Sequence, residues 1–93
     1  MRDLPRVWVF TGPRSHFPSG VFASVEQAEI WIAKHRVTGT LSEYEVGDGC
    51  YELAVARGGF RPSKPHHGTP MHVAGFNPGL EHFHYRDGDP DRG

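Results

Sequence analysis

One amphipathic segment, residues 24–36, constrains the fold of this chain most. Ser24 supplies a hydroxyl at an N-cap position and Gln27 follows three residues later, which is the spacing of a capping box. The less polar side chains then share one arc of a helical wheel: Val25, Ala28, Trp31, Ile32 and His35. This pattern predicts a helix to about Arg36, with Gly39 as its left-handed stop, whose apolar face must pack on a sheet.

Short β-branched and aromatic runs on either side of this helix predict the sheet. Residues 6–11 are apolar on both faces and are expected to form a central strand, followed by strands at residues 20–23 and 40–46. Residues 48–57 favour a short second helix, and residues 80–86 alternate as a last strand. The predicted class is α+β in the order β-β-α-β-α-loop-β: a small, mainly antiparallel sheet of about four strands, with one long and one short helix packed on it.

The length of the chain limits it to one small core. A chain of 93 residues buries only about 60 to 65% of the surface that it exposes when unfolded. We expect residues 1–86 to form a single compact domain and the polar residues 87–93 to be a frayed tail. Residues 61–80 are rich in proline and glycine, so regular structure there is limited to about one turn near residues 71–74.

Composition argues against several classes of function. A net charge of -1 lacks the basic excess that phosphate contacts require, so no nucleic-acid partner is expected. The single cysteine, Cys50, cannot form an internal disulfide and favours a reducing cytoplasm. The N-terminal apolar run is too short for a signal peptide, and nothing approaches 18 consecutive apolar residues, so no membrane partner is expected.

Histidine is the unusual residue in this composition. Five of the seven histidines fall between residues 66 and 84. His82 and His84 would project from one face of the last strand, and His66, His67 and His72 would come from the preceding loop. Such imidazoles could bind a transition metal, but their spacing matches no known motif. The simpler interpretation is that they hydrogen-bond to backbone and carboxylate groups, so a metal is possible but not favoured, and no cofactor is predicted.

Three further residues are candidates for a binding surface. Arg14 and His16 lie in a loop of turn-forming residues, 12–20, that is not a P-loop. Ile30 falls on the polar side of the long helix and is either ordinary exposed apolar surface or part of a partner contact. Cys50 lies one or two residues after the predicted N-cap of the second helix, where the helix dipole can make a thiol reactive, but a small hydrophobe at a helix start is the commoner case.

The chain resembles a family of small bacterial proteins that is known only as a domain of unknown function. The resemblance extends over nearly the whole chain and is clearest in residues 17–22 (FPSGVF), residues 38–46 (TGTLSEYEV), the pair His66-His67 and residues 81–85 (EHFHY). It implies a bacterial source and a stand-alone cytoplasmic domain, and it carries over no catalytic residues.

These observations favour a non-catalytic module for protein-protein interaction, such as an accessory, regulatory or immunity protein that binds another protein or a second copy of itself. The alternative is a small-ligand or metal-dependent enzyme that uses the His-rich loop and the last strand. A third hypothesis is pH sensing, because several imidazoles would gain charge below about pH 6.

Overall fold

The computed structural model describes residues 4–77 and 81–91 of the chain. The elements in chain order are β1 (Arg6–Thr11), β2 (Gly20–Phe22), α1 (Val25–His35), β3 (Gly39–Glu45), α2 (Cys50–Ala56), α3 (Pro70–Ala74), β4 (His82–Arg86) and β5 (Asp89–Pro90). They fall into two compact units: the described residues of 1–46 and 80–93 form the first, and those of 47–79 form the second. A single domain over residues 1–86 stays a prediction.

The first unit is an antiparallel sheet in the strand order β2-β1-β3-β4-β5, with α1 packed on it. The α+β class and the antiparallel sheet agree with the prediction, and the strand and helix counts differ. The described residues contain five strands rather than four, and a third helix follows the predicted two. Residue 80, predicted to begin the last strand, lies outside the described residues.

The extra strand lies in the segment that was predicted to be a polar tail. Asp87 and Gly88 connect β4 to β5 with positive φ angles of 51° and 89°, as a type I′ hairpin turn requires. An Asp-Gly pair is a strong signal for such a turn. The short strand that follows was not predicted, because Pro90 and the acidic residues around it are disfavoured in strands.

The core of the first unit lies between β1, β3, β4 and one face of α1. Among the described residues, the buried side chains are Phe10, Ala28, Ile32, Leu41 and Tyr85. Phe10 is opposite Leu41 in the sheet, and Leu41 is opposite Phe83, so an apolar row crosses three strands beneath the helix. Trp31, which lies on the predicted helix face, packs against this core with its ring centroid 5.5 Å from that of Phe10.

The start of α1 follows the prediction, and its end does not. The Ser24 hydroxyl accepts the backbone N–H of Gln27 at 3.1 Å, and the Gln27 side chain accepts the backbone N–H of Ala23 at 3.0 Å. The left-handed stop, however, is Arg36, with φ 52° and ψ 43°. Gly39 instead begins β3, where a Cβ atom would lie 2.7 Å from Cζ of Phe10. The glycine is therefore required by close packing in the sheet and not by the end of the helix.

The second unit is held together by aromatic rings. Its helix α2 has Gly49 as N-cap with no side-chain hydrogen bond, whereas α3, near the predicted turn, is capped by the hydroxyl of Thr69. The ring centroid of Phe76 lies 5.0 Å from that of Phe60 and 5.5 Å from that of Tyr51. None of the described side chains of this unit is fully buried.

Candidate functional site

A groove runs between the first two turns of α1 and the β4-β5 hairpin of the first unit. Its volume is about 240 Å³. The lining residues are Val25, Glu29, Phe83, His84, Tyr85, Pro90 and Asp91. We call it the acidic groove, because its walls are largely apolar and two of its polar side chains are carboxylates. Val25 and Glu29 are four residues apart, which brings both side chains to the same face of α1.

The carboxylate of Glu29 is fixed in position by a buried tyrosine. The Tyr85 hydroxyl donates to Oε2 of Glu29 at 2.8 Å. Burial of the ring raises the pKa of the Tyr85 phenol, and the hydrogen bond to the Glu29 carboxylate and its negative charge raise that pKa further. Tyr85 therefore acts as a hydrogen-bond donor, and Glu29 presents a preorganised negative charge in the groove.

The opposite side of the groove combines a second carboxylate with an exposed aromatic ring. The side chain of Asp91 pairs with Arg86 at 3.3 Å, and its backbone N–H donates to the carbonyl of His84 at 2.8 Å. Phe83 is 40% exposed, and its ring stacks on that of Trp8 with centroids 5.6 Å apart. The groove thus combines apolar surface, an aromatic ring and two carboxylates among its lining residues.

The second unit contains a compact group of three imidazoles, His66, His67 and His72, which we call the histidine cluster. Their ring centroids are 4.5 Å apart for His66 and His67, 4.8 Å for His67 and His72, and 5.6 Å for His66 and His72. The ring of Phe60 lies 5.0 Å from that of His67 and 5.5 Å from that of His72. Sequence reasoning had placed these residues in the same loop, and the structure brings their rings together.

Two rings of the cluster accept hydrogen bonds from the backbone of their own loop. Nδ1 of His67 accepts from the amides of Ser63 at 3.0 Å and Lys64 at 3.2 Å, and Nδ1 of His72 accepts from the amide of Gly68 at 3.2 Å. A ring that accepts at Nδ1 carries its proton at Nε2. Partial burial lowers the pKa of His67, and the neighbouring His66, His72 and Lys64 lower it further.

The other predicted pair, His82 and His84, lies in β4 of the first unit. Their ring centroids are 4.9 Å apart, which agrees with the shared strand face that the alternation implied. Nδ1 of His84 is 3.3 Å from the hydroxyl of Thr40 on the neighbouring strand, and both histidines are exposed.

The hydrogen bonding of the histidine cluster does not suit a metal ion. Nδ1 of both His67 and His72 is occupied by backbone amides, and a metal at either atom would displace those hydrogen bonds. Within residues 4–77 and 81–91, no group of three or more His, Cys, Asp or Glu side chains is arranged to hold a metal ion. In the same part of the chain, the helices are too short or too polar to cross a membrane.

The remaining predicted site residues are exposed and lie in the first unit. Arg14 has a left-handed backbone, with φ 63°, in the turn after β1, and His16 follows it. Ile30 is 72% exposed on α1. None of the three lines the acidic groove. Sequence reasoning missed the pairing of Glu29 with Tyr85, because 56 residues separate the partners and no local pattern connects them.

The fold and the groove together define a class: a small α+β domain in which one helix covers part of an antiparallel sheet and leaves a charged groove beside the terminal hairpin. The chain belongs to the family described as domain of unknown function DUF7710, whose model matches residues 7–91. This membership confirms the resemblance to a family of small domains of unknown function. No curated protein and no solved structure matches the chain.

Proposed function

We propose that this protein is a non-catalytic binding module that acts by protein-protein contact and takes a basic side chain of its partner into the acidic groove. The observation that carries this proposal is the Glu29 carboxylate, which is oriented by Tyr85 in a groove that is also lined by the partly exposed ring of Phe83.

The chemistry of the groove suits lysine or arginine better than other side chains. Both have an apolar stem that can lie along Val25 and Pro90, and both end in a cation that can pair with a carboxylate. An aromatic ring adds cation-π attraction, which is worth about 0.5 to 2 kcal/mol. Glu29 needs little reorganisation to bind, since the Tyr85 hydroxyl already restricts its side chain.

Exposed apolar side chains elsewhere in the first unit can extend such a contact. Phe17, in the loop between β1 and β2, is 80% exposed, and Ile30 on α1 is 72% exposed. Single exposed apolar side chains are common on protein surfaces, and a partner that contacts these two would bury them in the interface. We expect neither nucleic acid nor a membrane as partner, because the net charge is -1. We further propose a bacterial cytoplasmic setting, which the single cysteine favours.

A random-peptide display selection against the immobilised wild-type protein tests this function. We expect the selected peptides to share one arginine or lysine, and we expect replacement of that residue by alanine to weaken binding about tenfold, which corresponds to about 1.4 kcal/mol. The variant Glu29→Gln keeps the size of the side chain and removes its charge, so it should lose a similar factor in calorimetric titrations with the same peptide.

Glu26→Gln is the matched control, because Glu26 is also an exposed glutamate in α1 and does not line the groove. It should bind the selected peptide as the wild type does. Selected peptides without a shared basic residue, or equal affinities for the Glu29→Gln and Glu26→Gln variants, would show that the groove is not the binding site.

A further inference from the structure

We propose that the histidine cluster is a pH-sensitive latch: neutral His67 and His72 hold residues 63–72 closed, and protonation of these rings opens the segment. The proposal goes beyond the binding function, because it concerns only the described residues of the second unit.

The latch consists of hydrogen bonds that a neutral imidazole can accept and an imidazolium cannot. Three backbone amides, those of Ser63, Lys64 and Gly68, donate to Nδ1 of His67 or His72 at 3.0 to 3.2 Å. A protonated ring carries hydrogen on both nitrogens. The new hydrogen on Nδ1 would then point at the backbone N–H groups that had donated to the unprotonated Nδ1. Each of these contacts would therefore change from attraction to repulsion.

The surroundings of the two rings add to this effect. His66 and Lys64 are the titratable neighbours on the same loop, and the three imidazole centroids are at most 5.6 Å apart. A second positive charge at this separation is disfavoured. Two aromatic rings from α2 and the following loop also lie beside the cluster. The ring centroid of Tyr51 is 5.7 Å from that of His72, and the apolar ring of Phe60 also contacts His72.

The direction of the pH dependence follows from the lowered pKa of His67. The open segment binds protons with an ordinary histidine pKa of about 6.5, whereas the closed segment resists protonation. The latch therefore contributes its full stability above about pH 6.5 and loses it as the pH falls toward the lower pKa of the closed state. Opening would also separate the imidazoles from Phe60 and expose more of that ring.

Amide hydrogen exchange on the intact chain, measured by NMR at about pH 7.5 and about pH 5 and corrected for intrinsic rates, tests the latch. We expect the amides of Ser63, Lys64 and Gly68 to lose at least about tenfold in protection at the lower pH, since each coupled proton changes the opening constant about tenfold per pH unit. In a variant with His67→Asn and His72→Asn, the asparagine oxygens can accept the same amides without titrating. This variant should keep its protection at both pH values.

His16→Asn is the control, because His16 is an exposed histidine of the first unit, and it should leave the pH dependence of the three amides unchanged. Nitrogen NMR of the wild-type imidazoles gives an independent reading that needs no variant. At about pH 7.5 His67 and His72 should be neutral with the proton on Nε2. Protection that is the same at both pH values, or a proton on Nδ1 of these rings at neutral pH, would overturn the proposal.

Discussion

Tyr85 is the residue that connects the core of the first unit to the acidic groove. Its ring is one of the five buried side chains, and its hydroxyl reaches Glu29 at the surface of α1. A tyrosine is suited to this position because its ring is apolar and its one polar atom can reach a partner at the edge of the core. The same residue therefore stabilises the packing of the helix on the sheet and sets the orientation of the carboxylate in the groove.

The variant Tyr85→Phe should keep the ring packing and lose the hydrogen bond to Glu29. We expect the free energy of unfolding to fall by about 1 kcal/mol at neutral pH, as measured by urea denaturation. Because the pKa of Tyr85 is raised in the folded state, this stability is present below about pH 10 and is lost as the pH rises through the folded pKa. The alkaline absorbance titration of the variant should lack the step at highest pH. Equal stability of variant and wild type from neutral to alkaline pH would contradict this role.

At the scale of elements, the sequence predicted what depends on local chemistry. The start of α1 was predictable because the capping box is a contact between near neighbours, and β1 was predictable because its apolar residues occupy both faces of one strand. The stop at Arg36 was not predictable, because a left-handed arginine has no propensity signal, and Gly39 is required by its contact with Phe10, which belongs to another strand. In the same way, the acidic groove depends on residues far apart in sequence.

The hairpin turn between β4 and β5 was not predicted from the sequence. Gly88 combines a positive φ of 89° with close contact to the end of α1: a Cβ atom would lie 2.9 Å from Cα of Arg36 and 3.2 Å from the carbonyl oxygen of Ile32. Its backbone N–H also donates to the carbonyl of Val37 at 3.0 Å. The hairpin is therefore packed against the C-terminal end of the helix at Gly88.

Alanine in the left-handed conformation of Gly88 costs about 1 kcal/mol by itself. The variant Gly88→Ala should lower the free energy of unfolding by more than this, because the added methyl group would clash with backbone atoms of the helix end. Gly58→Ala is the matched control: Gly58 also has a positive φ, of 76°, but no described heavy atom lies within 4 Å of its added Cβ. Urea denaturation of both variants measures the difference. Similar losses in the two would mean that the contact between the hairpin and the helix end adds nothing to the backbone strain.

At the scale of the whole molecule, the two compact units differ in how they are stabilised. The five side chains that are buried among residues 4–77 and 81–91 all belong to the first unit, whereas the described part of the second unit has half-buried rings and none that is fully buried. Segments with little buried apolar surface open locally at a lower free energy than the global unfolding reaction. The second unit is thus the part of the described chain in which a few hydrogen bonds, such as those of the histidine cluster, can decide between closed and open states.

This difference predicts two separate responses to a mutation in the core. Leu41→Ala removes a fully buried side chain of the first unit and should lower the free energy of unfolding by about 2 to 5 kcal/mol. In native-state hydrogen exchange at about pH 7.5, the amides of β1 and β3 should lose protection by an amount that corresponds to this loss of stability. The amides of α2 should already be at least about tenfold less protected in the wild type, and their rates should change little, because they exchange through a local opening that leaves Leu41 packed. Equal loss of protection in α2 and in the sheet would instead mean that both units unfold in one cooperative step.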